Sequence, residues 1–109
     1  MANTFKLKTK ANVGVTTVGI YTAPAATTTV VIGITLANTS GSCVNVGVGI
    51  TRAGTTEDVK LLKNAPIPQG SSLEFMGGNK VVLEATDTVT VDSDTNNSVD
   101  ASLTIIEIT

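Results

Sequence analysis

Short segments rich in threonine and valine follow one another along the chain, and most of them end at a cluster of Gly, Asn, Ser or Asp. Within many segments apolar and small or polar residues alternate, as they do from Val44 to Ile50. A period of two places the apolar side chains on one face of a β-strand, and β-branched residues favour pleated sheet. Strands that recur at roughly 8–12 residues without a helical period are typical of sandwiches and barrels.

This pattern predicts an all-β fold, an antiparallel two-sheet β-sandwich that is jelly-roll-like and has about eight or nine strands. A small open or closed barrel is the alternative. A length of 109 residues favours a single domain over residues 1–109. Residues 1–12 are expected to form either an N-terminal arm or an edge strand.

Alternation also predicts which faces are buried. In the strand Thr27 to Ala37, it directs Val30, Ile32, Ile34 and Leu36 to the core. The opposite faces of this strand and the next carry Gly33, Ala37, Gly47 and Gly49, and such small residues predict close approach by another sheet or subunit. The final strand, Ser98 to Thr109, changes phase near Ile106. This predicts either a β-bulge or coverage of both faces at the end of the strand, which would then lie centrally or under a neighbouring subunit.

Turn residues predict the connections. Arg52–Asp58 is expected to be a polar loop, Val59–Asn64 a strand, and Ala65–Gly70 a rigid extended connector containing Pro66 and Pro68. Gly77-Gly78-Asn79 predicts a hairpin between the strands Ser72–Met76 and Lys80–Ala85.

Charge and hydropathy exclude several classes of partner. The net charge is −2 and the isoelectric point is near 4.8, so nucleic acid is not expected, since phosphate binding needs a basic face. The basic residues Lys6, Lys8 and Lys10 share one side of a strand, where they either discourage edge pairing or contact an acidic partner. We expect no membrane partner and no signal peptide, because the start lacks an apolar stretch and no apolar run approaches ~20 residues.

The side chains offer little for catalysis. The chain has no histidine and a single cysteine, Cys43, which we expect to be buried. Zinc sites and the usual nucleophile–base pairs are therefore not predicted, and no spacing pairs two carboxylates across a substrate site. We predict that the protein is not an enzyme, with no catalytic residue, no cofactor and no metal ligand. The run Asp92–Asn97 is interpreted as a polar turn, with a weak surface cation site as the alternative.

Several stretches together resemble small virion proteins of tailed phages. Tyr21-Thr-Ala-Pro24 and Thr27–Asn38 are similar to the YTVP, TTTVIG and ANT motifs of those proteins. Further matches lie within Ala65–Leu73, Lys80–Ala85, Asp87–Val91 and Ser102–Ile108, so the similarity covers nearly the whole chain. Thr86-Asp87 stands where a Gly-Asp turn is commoner in such sequences.

The resemblance implies a structural component of a virion, which assembles in the host cytoplasm. The expected role is a capsid decoration or cement protein that binds the major capsid protein on the outer shell and associates with itself, with a trimer favoured. The alternatives are a tail, baseplate or fibre-associated sandwich and, third, a host-carbohydrate-binding module, against which the scarcity of aromatic residues counts. The expected interface residues are Phe5, Lys6, Leu7, Lys8, Lys10, Pro66, Pro68, Ile106 and Ile108.

Overall fold

The computed structural model of the chain describes residues 3–54, 57–75 and 80–109. These residues form nine strands and no helix. The strands are β1 (Asn3–Val13), β2 (Val18–Thr22), β3 (Thr28–Asn38), β4 (Val44–Arg52), β5 (Glu57–Ile67), β6 (Ser72–Phe75), β7 (Val81–Leu83), β8 (Thr88–Ser93) and β9 (Val99–Ile108).

The strands pair into two antiparallel sheets. The first sheet has the order β1-β9-β3-β6, and β7 also pairs with β3; the second has the order β2-β8-β4-β5. If β6 and β7 are taken as one interrupted strand, this is the strand order of a jelly roll, with two four-stranded sheets facing each other. The predicted antiparallel β-sandwich is confirmed. Residues 3–13 form the edge strand β1 rather than a free arm.

The core between the sheets is almost entirely aliphatic. Alternate residues of β4 and β9 point into it, as the sequence predicted for Val44 to Ile50. Because both strands are central in their sheets, each gives a continuous buried row. The buried hydrophobic residues are Val13, Tyr21, Ala23, Val31, Ile34, Leu36, Val44, Val46, Val48, Ile50, Ile67, Leu83, Val89, Val91, Val99, Ala101, Leu103 and Ile105.

A β-bulge in β3 changes which of its residues are buried. Opposite β9, Val31 pairs with Ile105 and Gly33 pairs with Thr104, so that Ile32 is an extra residue. The phase of β3 therefore shifts by one at Ile32. Ile34 and Leu36 are buried as predicted, but the prediction is wrong for Val30 and Ile32, which are half-buried, and Val31 takes the core position instead.

β9 keeps one phase throughout. Its alternate residues from Val99 to Glu107 are buried, while Ile106 and Ile108 lie half-buried on the opposite face. The strand sits between β1 and β3. The strand is therefore central, as one form of the second alternative predicted, but its outer face around Ile106 and Ile108 is not fully covered by other described residues.

Two predicted connections differ in the structure. β5 begins at Glu57 and continues to Ile67, so Ala65 to Ile67 belongs to a strand and not to a connector. Pro66 is tolerated there because β5 is an edge strand, where a missing N–H need not break a ladder. β6 and β7 both pair antiparallel with β3, end to end along it, so the predicted hairpin is wrong. Its turn, Gly77 to Asn79, lies outside the described residues.

Thr86 carries backbone strain in the turn before β8. Its φ is 68°, in the left-handed region that a β-branched residue rarely adopts. Its amide donates to the carbonyl of Ala23, which fixes the turn against the start of the β2–β3 connection. Glycine, which has no Cβ, adopts a positive φ without this strain and would therefore suit the position.

Replacing Thr86 with glycine is expected to stabilise the fold by up to about 1 kcal/mol. Relief of roughly 1–2 kcal/mol of left-handed strain exceeds the added chain entropy of glycine in the unfolded state. The midpoint of denaturant unfolding measures the change. Ala85→Gly, at the adjacent turn residue without a positive φ, is the control and should lower the midpoint; a T86G variant that is also less stable would contradict the prediction.

Candidate assembly surface

An apolar row crosses the outer face of the first sheet. Phe5 pairs with Ile106 across β1 and β9, Ile106 pairs with Val30 of β3, and Val30 pairs with Val82 of β7. Residues directly opposite each other in a sheet share a face. The four side chains therefore form one line across four neighbouring strands, on the side away from the core.

This row belongs to a larger exposed surface. Leu7 lies two residues beyond Phe5 on β1, and Ile108 lies two beyond Ile106 on β9, each on the same face. Phe5, Leu7 and Val82 are 71%, 66% and 59% exposed. Large contiguous exposed apolar patches are typical of interaction sites. We refer to Phe5, Leu7, Val30, Val82, Ile106 and Ile108 as the apolar face.

The other end of the same outer face is polar. Thr9, Ser102 and Thr35 form a second row across β1, β9 and β3. A shallow cleft of about 260 Å³ opens there, and its lining also includes Lys10 and Asp100. The outer face thus has an apolar half and a half of small, mostly hydroxyl side chains. In protein interfaces, an apolar centre is commonly bordered by polar residues.

The three lysines of β1 lie on the side of the strand opposite to Phe5 and Leu7. Lys6, Lys8 and Lys10 pair in register with Ile105, Leu103 and Ala101, all of which face the core. The lysines therefore line the margin of the sandwich rather than the apolar face. Lys6 forms an ion pair with Glu107, with Nζ 2.9 Å from Oε1.

Glu107 is a buried carboxylate at the centre of a network that joins the two sheets. Tyr21 of the second sheet donates its hydroxyl to Oε2 of Glu107 at 2.6 Å. The tyrosine oxygen lies 2.8 Å from the Thr29 hydroxyl, which must be the donor because the single tyrosine proton is already used. Together with Lys6, these contacts satisfy a charge that would otherwise be costly to bury.

The network changes the pKa of both titratable members. Burial raises the pKa of Tyr21 to about 12, and its hydrogen bond to Glu107 acts in the same direction. The hydrogen bonds from Tyr21 and Lys6 lower the pKa of Glu107 below its ordinary value, against the effect of burial. The folded state therefore holds a neutral phenol against an ionised carboxylate.

Pro66 and Pro68 lie apart from the other expected interface residues. Pro66 is in β5 opposite Asn45, at the edge of the second sheet, and Pro68 follows the strand. The nine residues thus occupy three places: the apolar face, the lysine margin, and the β5 edge. Of these, the structure brings together Phe5, Leu7, Ile106 and Ile108.

The glycines that were predicted to allow close approach by another sheet or subunit have different environments. A Cβ on Gly47 would lie 2.5 Å from Oδ1 of Asp92, and one on Gly49 would lie 2.9 Å from the carbonyl of Val59. Atoms of the chain's own neighbouring strands therefore occupy the space beside Gly47 and Gly49. A Cβ on Gly33 would meet nothing within 4 Å, so this position on the outer face of the first sheet is open.

Two further predictions concern single features. Cys43 is exposed, not buried, because it lies just before the start of β4 rather than inside the strand. In the Asp92–Asn97 turn, Asp94 accepts the backbone N–H of Asn45 at 3.1 Å and Thr95 donates its N–H to Ser93 at 3.2 Å. The second bond is local to a polar turn, and the first ties this turn to the start of β4. Within residues 3–54, 57–75 and 80–109, no group of three or more acidic or cysteine side chains is placed to hold a metal.

Sequence reasoning missed two members of the apolar face and the buried network. Val30 was assigned to the core because nothing in the run Val30 to Ile34 marks the bulge. For Val82 the sequence predicts a strand but does not indicate which face of the strand the side chain occupies. The signal for the network was a lone glutamate at the core parity of β9, two residues beyond Ile105.

Comparison with known proteins identifies the fold. No protein-family model and no curated protein sequence matches the chain. One similar structure is a chain of Bacillus endospore appendages, described as a novel family of disulfide-linked pili; it is 17% identical with a TM-score of 0.58, over 99% of this chain and 87% of that one. Another comes from the T13 particle of the icosahedral virus IBDV, at 12% identity and a TM-score of 0.60. That match covers 97% of this chain but 31% of the viral one. No helix in the described part of the chain is suited to cross a membrane.

Proposed function

We propose that this protein is a structural component of a virus particle, a capsid decoration protein that binds the outer surface of a tailed-phage shell. The observation that carries the proposal is the apolar face, a row of large side chains exposed across four strands. A protein that works in isolation gains nothing from exposing such a row. A protein that is permanently attached to a surface buries it.

The energetics suit attachment in many copies. Burying one Val or Phe side chain contributes about 1.5–3 kcal/mol, so a few such contacts give a modest single-site affinity. When a homo-oligomer engages several equivalent sites, the second contact becomes intramolecular and the apparent affinity rises by orders of magnitude. The partner in this proposal is the major capsid protein together with further copies of this chain, with a trimer favoured. Neither nucleic acid nor membrane is a partner, and the protein is not an enzyme.

The fold is compatible with this role. Chains with similar folds occur in the T13 IBDV particle and in Bacillus endospore appendages. These similarities support an architectural role. The phage and shell assignment rests on the sequence motifs around Tyr21 and Thr27–Asn38 and on the apolar face.

Loss of the apolar face is expected to release the protein from particles. Val82→Ser should weaken each contact by about tenfold if about 1.4 kcal/mol is lost per contact. Particles carrying the variant should therefore lose copies on dilution and purification, and the number of copies per purified particle should fall. Quantitative mass spectrometry of the particles measures the copy number. Val59→Ser is the matched control: Val59 is also an exposed valine, but it lies on β5 in the second sheet.

The same measurement separates the alternatives. Hundreds of copies of the unmodified protein per particle mean a shell component, whereas small multiples of three or six mean a tail or baseplate component. A protein that is absent from particles and binds glycans on an array would be a carbohydrate-binding module. Equal copy numbers for V82S and V59S would refute the role of the apolar face.

A further inference from the structure

β1 is the longest regular open edge that the structure describes. Its pairing with β9 runs without a register shift from Asn3 to Lys10, and its other side has no partner strand among the described residues. The remaining edges are interrupted. β5 has two register shifts and Pro66, β2 is short and shifted, and β6 and β7 are two separate pieces. Interruption is one way in which proteins protect an edge against added strands, and edge lysines are another. Among the edges formed by described residues, β1 alone is regular.

The lysines decide what can pair with this edge. Lys6 is engaged with Glu107, whereas Lys8 and Lys10 have no ion pair within the described residues. Both lie on the core side of β1, in register with Leu103 and Ala101. Two cations that are two residues apart, and that form no ion pair among the described residues, therefore face any strand that is added to β1; Lys8 also attracts Glu107 electrostatically.

A second copy of β1 fits poorly. In an antiparallel pair of two β1 strands in one continuous sheet, residues of the same parity stand opposite each other. In every well-overlapped register at least one of Lys6, Lys8 and Lys10 would then face a lysine of the other copy, and like charges directly opposite destabilise a pair. The lysines thus disfavour self-pairing and favour a strand of different charge.

We infer that β1 accepts an added strand from a protein partner, and that this strand alternates acidic and apolar residues. Carboxylates on the core side would pair with Lys8 and Lys10, while apolar side chains on the outer side would extend the apolar face beside Phe5 and Leu7. Backbone hydrogen bonds to the open edge supply affinity, and the alternating side chains supply specificity. This inference rests on the proposed function in one respect: the partner strand is supplied by the capsid.

Peptides test the edge without any particle. The probe is a labelled eight-residue peptide that alternates valine and glutamate. One comparison peptide alternates valine and lysine. The other has the same composition as the probe, but its valines form one block and its glutamates another. Fluorescence anisotropy should show at least tenfold tighter binding of the alternating acidic peptide, and amide hydrogen exchange should slow over residues 3–10.

Charge reversal tests the assignment to the lysines. Lys8→Glu with Lys10→Glu should weaken binding of the acidic peptide at least tenfold and favour the lysine peptide instead. Lys60→Glu with Lys63→Glu, on the edge strand β5 of the other sheet, makes the same charge change and should leave binding unaltered. Circular dichroism of both variants establishes that they are folded.

Three outcomes would overturn the inference: no binding of the alternating peptide, equal binding of the block peptide, or equal loss in the K60E/K63E variant. In the first case the lysines serve edge protection only. The result is separable from that for the proposed function. Particle attachment that depends on Val82 without peptide binding refutes strand addition alone, whereas peptide binding by a protein absent from particles refutes the capsid as its source.

Discussion

Ile105→Ala is expected to destabilise the fold by about 2–5 kcal/mol, a large part of the 5–15 kcal/mol typical of a domain. Ile105 is completely buried, and β9 is flanked by β1 and β3, which hold its backbone in place. The site therefore has little freedom to collapse around the missing atoms. Loss of transfer free energy and the residual cavity both contribute.

Ile106→Ala is the matched control for this prediction. It removes the same atoms from the next residue of the same strand, on the half-buried outer face. Its cost should be about 1 kcal/mol or less. Chemical denaturation of both variants measures the difference. Equal costs would contradict the alternation of β9, in which Ile105 faces the core and Ile106 faces outward.

Tyr21→Phe is expected to cost about 1–3 kcal/mol near neutral pH. The change removes the hydroxyl that donates to Glu107 and accepts from Thr29, and leaves a buried carboxylate with one partner fewer. Because the network joins the two sheets, the loss should appear in global unfolding. Thr22→Val is a suitable control. Among the described contacts, the exposed Thr22 hydroxyl is hydrogen-bonded only to the Thr88 hydroxyl.

The pH dependence of this difference has a definite sign. The folded pKa of Tyr21 is raised from 10.0 to about 12, so its contribution is complete below pH 10 and is lost as pH rises through about 12. The folded pKa of Glu107 is lowered from 4.5, so its contribution is complete above about pH 4.5 and is lost as pH falls through the lowered value. The stabilities of wild type and Y21F should therefore be furthest apart between these limits and converge beyond both. A constant difference from pH 4 to pH 12 would contradict this account.

The predictions that held depend on local pattern. In β4, valines alternate with glycine and asparagine, so the buried face was evident from the sequence. In β3 the run from Val30 to Ile34 is apolar throughout except for Gly33, and no polar residue marks where the phase shifts. Gly77-Gly78-Asn79 was interpreted as a hairpin because turn residues indicate a break in a strand. They do not indicate that both pieces pair with a distant strand such as β3.

The apolar face likewise combines residues that the sequence predicts with residues that only strand pairing brings in. Phe5, Leu7, Ile106 and Ile108 were chosen from the two ends of the chain, yet their placement on one face follows from the register of β1 on β9. Val30 and Val82 join them only through the bulge in β3 and the pairing of β7. Glu107 stands at a core-facing position of β9, but its side-chain partners Tyr21 and Lys6 come from two other strands.

The sequence by itself determined the secondary structure class, the aliphatic core and the absence of histidine chemistry, because alternation and composition are properties of neighbouring residues. Tertiary structure decided the register, the bulges and the partners of Glu107, because strand pairing joins residues that are far apart in the chain. The apolar face and the open edge of β1 exist only in that pairing, since a side chain becomes exposed or buried according to which strand lies beside it.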